Sequence, residues 1–212
     1  GTGVCTNTLS TVLNSPAGPT VSTVQQSVTC FGASTGAATL NVSGTPVFSF
    51  TWSPAVAGNT NIATSLPSGT YVVSVRDGNS CVTNHSVIIT QPTSVTINQN
   101  VGAVRCNGGA TGSITVNPSG GTTPYTFNWL PAVPPITGQG TRTITSLTSG
   151  GYTLNLSDAN SCLTQHIFSI SAPPALSLTA NATNTVICSG FTNGSITANA
   201  SGGTGAISYT WT

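Results

Sequence analysis

Apolar and polar residues alternate with a period of two in short segments along the chain. In one such segment Tyr125, Phe127 and Trp129 fall on one side, and Thr126 and Asn128 fall on the other. Strict alternation of this kind is typical of a half-buried β-strand. Because no stretch shows the period of an amphipathic helix, the pattern predicts an all-β fold.

The aromatic segment occurs three times in the chain. Its counterparts are Phe48, Phe50 and Trp52 in a first copy and Ile207, Tyr209 and Trp211 in a third. A later alternating segment contains Tyr71 in the first copy and Tyr152 in the second. We expect five of these rings to pack in sandwich cores, because they share a face with other large apolar residues. These predicted core aromatics are Trp52, Trp129, Trp211, Tyr71 and Tyr152.

The cysteines recur in phase with the aromatic segments. Cys30, Cys106 and Cys188 are separated by 76 and 82 residues, and Cys5, Cys81 and Cys162 by 76 and 81. Self-similarity at a fixed period indicates tandem copies of one small domain. Six or seven short strands per copy, with a Trp on the third strand and Gly-x-Tyr opening the penultimate one, predict immunoglobulin-like (Ig-like) β-sandwich repeats.

The predicted division of the chain follows the proline residues that close each copy. It comprises a last strand of a preceding or incomplete repeat (1–16), a first Ig-like repeat (17–92), a second Ig-like repeat (93–173) and a partial third repeat (174–212). We therefore expect a segment of a longer protein, or a subunit whose ends are completed by neighbours.

Charged residues make up only 2% of the chain. Ordinary globular chains carry about 25%, so electrostatic steering of partners is nearly absent. The sequence has no basic cluster for nucleic acid and no apolar run of about 18 residues for membrane insertion. A net charge near zero favours association. We expect self-association into a filament, with surface glycans or a host or substratum surface as further binding partners.

Cysteines in phase, without the short spacing of zinc sites, predict disulfides and an extracellular, cell-surface location. Three pairings fit the repeat. The first joins cysteines within a copy, Cys30 to Cys81 and Cys106 to Cys162. The second joins Cys30 to Cys162 across the joint between copies. The third joins neighbours in sequence, Cys5 to Cys30, Cys81 to Cys106 and Cys162 to Cys188.

The sequence predicts no catalytic, cofactor-binding or metal-binding residues. Its acids are Asp77 and Asp158, each of which opens a tight turn and can accept hydrogen bonds from its own backbone. One carboxylate per turn is too few for calcium. His85 and His166 lie four residues after a cysteine on a strand, too far to share a metal ion with it.

Six Asn-x-Ser/Thr triplets are candidate glycosylation sites in an exported protein. They begin at Asn41, Asn84, Asn155, Asn181, Asn193 and Asn199. Glycans and hydroxyl-rich surfaces would keep so uncharged a chain dispersed in water.

One combination of motifs resembles a known family. The run Cys-x-Gly-x-x-x-Gly-Ser-Ile-Thr, then Ser-Gly-Gly-Thr-x-Pro-Tyr-x-Phe-x-Trp, Leu-x-x-Gly-x-Tyr and Asp-Ala-Asn-Ser-Cys is similar to the SprB repeat. Residues 106–173 carry it best, while 30–92 and 188–212 match in part. The resemblance implies a bacterial surface adhesin or filament, related to gliding motility and exported by the type IX route, without catalytic activity.

Two functions remain open at this point. The first is a structural and adhesive segment of an extracellular filament, in which the leading residues of one subunit complete the third repeat of the next by strand addition. The alternative is an accessory carbohydrate-binding module of a secreted hydrolase, which requires an exposed row of aromatic residues.

Overall fold

The computed structural model describes residues 3, 17–131, 136–183, 190 and 194–212. The described residues contain β-strands and turns but no helix, which confirms the all-β prediction. The chain divides into two units, Gly1–Pro92 and Thr93–Thr212.

The first unit is a sandwich of two three-stranded sheets. Its strands are β1 (Thr20–Gln26), β2 (Gly36–Ser43), β3 (Ser49–Ser53), β4 (Ile62–Leu66), β5 (Gly69–Arg76) and β6 (Val82–Ile89). One sheet has the order β1-β2-β4 and the other β3-β5-β6, with antiparallel pairing throughout. The first, second and fourth strands thus form one sheet and the third, fifth and sixth the other, which is the Ig-like arrangement.

The second unit repeats this sandwich and adds a hairpin. Its strands are β7 (Thr96–Gly102), β8 (Gly112–Ser119), β9 (Thr126–Leu130), β10 (Thr143–Leu147), β11 (Gly150–Ser157), β12 (Leu163–Ile170), β13 (Ser177–Thr183) and β14 (Ser195–Ser201). The sheets are β10-β8-β7, β12-β11-β9 and the two-stranded β13-β14. The finer division at residues 16, 173 and 174 stays a prediction.

The alternating apolar residues of the two sheets form each core. In the second unit Ile114 of β8, Trp129 of β9 and Leu154 of β11 are fully buried. The Trp129 ring lies 5.5 Å from that of Phe168, and its Nε1 donates to the Thr141 carbonyl at 3.0 Å. Burial with a satisfied indole N–H explains why a Trp occupies this strand position.

A tyrosine anchors the start of the fifth strand of each sandwich. The Tyr71 hydroxyl donates to the Pro67 carbonyl at 3.0 Å, and the Tyr152 hydroxyl donates to the Thr148 carbonyl at 3.1 Å. Each bond returns to the backbone four residues upstream, which is the geometry of the tyrosine corner of Ig-like sandwiches. This contact, together with the strand order, confirms the Ig-like prediction.

Candidate functional site: an open face at residues 176–211

Large apolar side chains of the third copy are exposed, although their counterparts are buried. The exposed fractions are 65% for Leu178, 57% for Ile196 and 61% for Trp211. Ile114 and Trp129, the counterparts of the last two, are 0% exposed. In the second copy, side chains of β10, β11 and β12 share one core with Ile114 and Trp129, whereas the described part of 174–212 contains only β13, β14 and the segment that follows.

The prediction of a core position is therefore wrong for Trp211. Strand alternation assigns a side chain to one face of a sheet, but burial also requires a second sheet over that face. The other four predicted core aromatics are buried: Trp52 and Trp129 are 3% and 0% exposed, and Tyr71 and Tyr152 are 5% and 7% exposed.

Leu178 and Trp211 line a shallow groove of about 280 Å³. We call its lining the open face, which includes Leu178, Ala180, Ala198, Ala200, Tyr209 and Trp211. The Tyr209 hydroxyl accepts a hydrogen bond from the Ala200 N–H at 3.1 Å, which holds the ring over the hairpin. The groove lining consists of aliphatic side chains, two aromatic rings and hydroxyl groups, so the open face is suited to apolar contact and ring stacking.

The strand edge beside the open face is also unpaired. In the second copy β8 pairs with β7 on one side and with β10 on the other. Its counterpart β14 pairs with β13, and no second strand pairs with it in the described part of the chain. An edge with free N–H and C=O groups is a template for pairing with another strand.

The structure separates the cysteines into two groups. Cys30 and Cys162 are each disulfide-bonded, whereas Cys81 and Cys106 are free thiols. Both pairings within a copy require Cys81 or Cys106, so they are wrong. Cys5 and Cys188 lie outside the described residues.

The topology explains why the cysteines of one copy do not pair. The loop that carries Cys30 lies at the end of β6, because the Gly32 N–H donates to Gln91 Oε1 at 2.8 Å. Cys81 precedes the other end of β6, a strand of eight residues. Eight residues span roughly 26 Å, whereas the Cα atoms of a disulfide lie within about 7 Å.

Asp77 and Asp158 shape the turns before β6 and β12, as the sequence predicted. Asp77 Oδ1 accepts the N–H groups of Asn79 at 3.0 Å and Cys81 at 2.9 Å. Asp158 Oδ1 accepts those of Asn160 and Cys162, both at 2.9 Å.

The second carboxylate oxygen distinguishes the two turns. Asp158 Oδ2 accepts the Thr122 N–H at 3.0 Å, whereas Asp77 Oδ2 is buried without a hydrogen-bond partner among the described residues. Burial raises the pKa of Asp158, but hydrogen bonds from the Cys162, Thr122 and Asn160 N–H groups outweigh it, so the pKa lies below its usual value.

The remaining candidates occupy strand positions. His85 on β6 is half-buried, with Nε2 2.7 Å from Thr23 Oγ1 on β1, so it links the two sheets. Within the described residues no group of three or more His, Cys, Asp or Glu side chains could hold a metal ion. That part of the chain also contains no helix that is long and apolar enough to cross a membrane.

Five of the six predicted glycosylation sites are described, and all five lie on strands. Asn41, Asn84, Asn181 and Asn199 are exposed. Asn155 is partly exposed, and its Oδ1 accepts a hydrogen bond from Gln165 Nε2 at 2.9 Å. Asn193 lies outside the described residues. Modification of these sites stays a prediction.

The fold and the recurring sites define a protein built of tandem Ig-like β-sandwich repeats. The SprB repeat matches residues 22–57, 99–134 and 179–212, which together make up half of the chain. The chain belongs to the SprB-repeat family, as its motifs predicted. No curated protein matches it.

Solved structures of low similarity share parts of this architecture. A C-terminal fragment of intimin, in complex with the intimin-binding domain of its translocated receptor, is 17% identical over 75% of this chain and 66% of its own, with a TM-score of 0.39. The first eight Ig domains of Down syndrome cell adhesion molecule are 15% identical over 78% of this chain and 25% of their own, with a TM-score of 0.38. The chain spans less than two thirds of either structure.

Proposed function

We propose that this chain is a structural and adhesive segment of an extracellular bacterial surface filament, and that separate molecules of it join non-covalently by strand complementation at the open face. Three SprB repeats and the near absence of charge support a non-catalytic, self-associating segment. The observation that carries the proposal is the coincidence of an uncovered apolar face with an unpaired edge of β14. A docked strand would satisfy both at once, because its backbone pairs with the edge and its alternate side chains fill the groove.

The donor that we propose is the segment 5–16 of a second molecule of this chain. Its sequence, CTNTLSTVLNSP, repeats the Cys-to-Pro spacing of CVTNHSVIITQP at 81–92 and CLTQHIFSISAP at 162–173, which include β6 and β12. In those copies the segment forms the last strand of the sandwich and pairs with the fifth strand. At the open face it would instead pair with the edge of β14 that corresponds to the β10 side of β8. Leu9 and Leu13 have the same parity and would face the groove.

A matched pair of charge substitutions tests non-covalent assembly. Leu178→Asp places a carboxylate in the open face, whereas Leu163→Asp makes the same change at a residue on the outer side of β12. The two side chains are 65% and 68% exposed. In reducing buffer, sedimentation velocity should show concentration-dependent oligomers for the unmodified chain and for Leu163→Asp, but monomers for Leu178→Asp. Equal loss of assembly in both variants, or an unmodified chain that is monomeric at all concentrations, would contradict the proposal.

A labelled peptide of residues 6–16 tests the identity of the donor. Its fluorescence anisotropy should rise on titration with a chain that lacks residues 1–16, and it should not rise with the same chain carrying Leu178→Asp. A scrambled peptide of the same composition provides the control. Equal binding of both peptides would exclude this donor.

A specific observation favours the carbohydrate-binding alternative. Tyr209 and Trp211 are 47% and 61% exposed on the open face. Exposed aromatic rings can stack on sugars. In glycan-array measurements this function predicts binding that Trp211→Ser abolishes, with oligomerisation in reducing buffer unchanged. Glycan binding that survives Trp211→Ser, or no binding at all, would argue against it.

A further inference from the structure

One N–H group of the strand edge beside the open face is already hydrogen-bonded. The Ala200 N–H of β14 donates to the Tyr209 hydroxyl at 3.1 Å. Along one strand of an antiparallel pair, the N–H groups of successive residues point alternately toward and away from the partner strand. Because the Ala200 N–H points away from β13, the N–H groups of Ala198 and Ile196 do so as well. These three groups form the edge at which we propose that a strand docks.

The second copy shows how far the equivalent edge is used. The Val116 N–H of β8, the counterpart of the Ala198 N–H, donates to the Arg142 carbonyl, directly before β10, at 3.0 Å. The next residue of β8 with the same orientation is Pro118, which has no N–H to donate. The edge that receives β10 therefore ends at Val116.

The third copy ends its edge at the equivalent residue by another route. Its counterparts of Pro118 and Phe127 are Ala200 and Tyr209. The second copy thus has neither the N–H nor the hydroxyl, whereas the third copy has both, and they are bonded to each other. In both copies the N–H groups available for strand pairing stop two residues before this position.

The hydroxyl is present where the edge is uncovered and absent where it is covered. The first and second copies carry Phe50 and Phe127 at this position, and their edges pair with β4 and β10. The need to satisfy a buried hydroxyl does not explain the bond, because Tyr209 is 47% exposed and can be hydrated. The distinctive consequence of this tyrosine is therefore the occupied Ala200 N–H.

We infer that Tyr209 sets the register of the strand that docks at the open face, by holding the Ala200 N–H and confining pairing to residues 195–199 of β14. This inference rests on the proposed function and deepens it. The paired length would be five residues, which is the length of β4 and of β10. A strand that reached Ala200 would only replace a hydrogen bond that is already made, so it would gain little there.

A register stop is needed because the apolar pattern does not define the register alone. A shift of one residue turns every side chain of a strand to the other face, but a shift of two residues restores the same face. A donor with alternating apolar residues can therefore fill the groove in registers that differ by two residues. The last available N–H of the edge distinguishes these registers.

Two variants separate the effect of the hydroxyl from that of the ring. Tyr209→Phe removes the acceptor and leaves the Ala200 N–H available to a docked strand. The double variant Tyr209→Phe/Ala200→Pro reproduces the residue pair of the second copy and removes the N–H as well. Proline is tolerated on a strand edge where the N–H faces away from the partner strand, so the pairing of β13 with β14 should persist.

Residue-resolved hydrogen exchange of the full chain in reducing buffer, below and above the concentration of assembly, locates the docked strand. In the unmodified chain, assembly should slow exchange of the Ile196 and Ala198 amides and leave that of Ala200 unchanged. In Tyr209→Phe, the Ala200 amide of the monomer should exchange about 2- to 12-fold faster, as expected for the loss of one hydrogen bond, and assembly should now slow it.

The strength of assembly provides a second measurement. By sedimentation velocity, the dissociation constant of the assembly should fall about 2- to 12-fold for Tyr209→Phe, because the docked strand gains one hydrogen bond. The double variant should return to the dissociation constant of the unmodified chain, because it again offers no N–H at residue 200. Both variants carry the same phenylalanine, so a change in apolar contact cannot produce this difference.

Three results would overturn the inference and leave strand complementation standing. They are an Ala200 amide that assembly of the unmodified chain protects as strongly as that of Ala198, an Ala200 amide whose exchange in the monomer does not respond to Tyr209→Phe, and equal dissociation constants for the single and double variants. An unmodified chain that does not assemble, or whose assembly leaves the Ile196 and Ala198 amides unprotected, would contradict the proposed function and this inference with it. The two failures are therefore distinguishable.

Discussion

The two aspartate turns allow one hydrogen bond to be tested within a single chain. Asp158→Asn and Asp77→Asn replace one carboxylate oxygen by an NH₂ group at equivalent positions. In both variants the amide oxygen can keep the two N–H bonds that Oδ1 accepts. At residue 158 the NH₂ group then faces the Thr122 N–H, which is 3.0 Å from Oδ2 in the unmodified chain. At residue 77 it replaces an oxygen that has no hydrogen-bond partner among the described residues.

The expected difference follows from the cost of an unsatisfied donor. Leaving a buried N–H without its acceptor costs about 1–3 kcal/mol. Asp158→Asn should therefore lower the free energy of unfolding of the second sandwich by about that amount. Asp77→Asn should change the first sandwich much less, because it breaks no bond to Oδ2. The turn at 119–124, which supplies the donor to Oδ2 of Asp158, is one residue longer than its counterpart at 43–47.

Native-state hydrogen exchange measures the two sandwiches separately in the intact chain. Core amides of β11 report opening of the second sandwich and those of β5 report opening of the first. A loss of 1–3 kcal/mol corresponds to exchange that is roughly 5- to 160-fold faster in β11 for Asp158→Asn. Equal acceleration of β5 by Asp77→Asn would refute the reasoning, as would unchanged exchange in β11.

Further predictions concern pH, burial and thiol chemistry. Because folding lowers the pKa of Asp158 below 3.8, the ionised carboxylate should stabilise the second sandwich above that pH, and this contribution should be lost as the pH falls through the folded-state pKa. Asp158→Asn should abolish this part of the acid dependence of hydrogen exchange in β11. Trp129→Ala should destabilise the second sandwich by about 3–5 kcal/mol, whereas Trp211→Ala should change unfolding of the monomer by less than about 0.5 kcal/mol, as followed by chemical denaturation. Without prior reduction, an alkylating reagent should label Cys81 and Cys106 but neither Cys30 nor Cys162; labelling mapped to either of the latter two residues would contradict their disulfides.

The local pattern was sufficient to predict the strands and the core of the two complete copies. Trp52 and Trp129 lie on the third strand and are buried, and Tyr71 and Tyr152 form the corner contacts that the Gly-x-Tyr motif predicted. These features depend on neighbours along one strand or one turn. Alternation and turn chemistry report such neighbours directly.

The cysteine states could not be read from spacing. All six recur at the same positions in their copies, so the sequence treats Cys81 and Cys162 as equivalent, although one is a thiol and the other is bonded. Bonding depends on which groups meet within a few ångströms in three dimensions. The hydrogen bonds of Asp77 and Asp158 differ for a similar reason, because the donor to Oδ2 comes from a turn more than thirty residues away.

The sequence by itself determined that this chain folds as repeated Ig-like β-sandwiches of the SprB family, because a period of two, turn residues and the repeat length are properties of neighbouring residues. The tertiary structure alone decided that Trp211 and Leu178 are exposed, that the edge of β14 is unpaired in the described part of the chain, and that Cys81 and Cys106 are thiols. A buried side chain requires a covering sheet, a paired strand edge requires a neighbouring strand, and a disulfide requires a second cysteine within reach. These partners come from segments that are distant along the chain, and no local pattern records them.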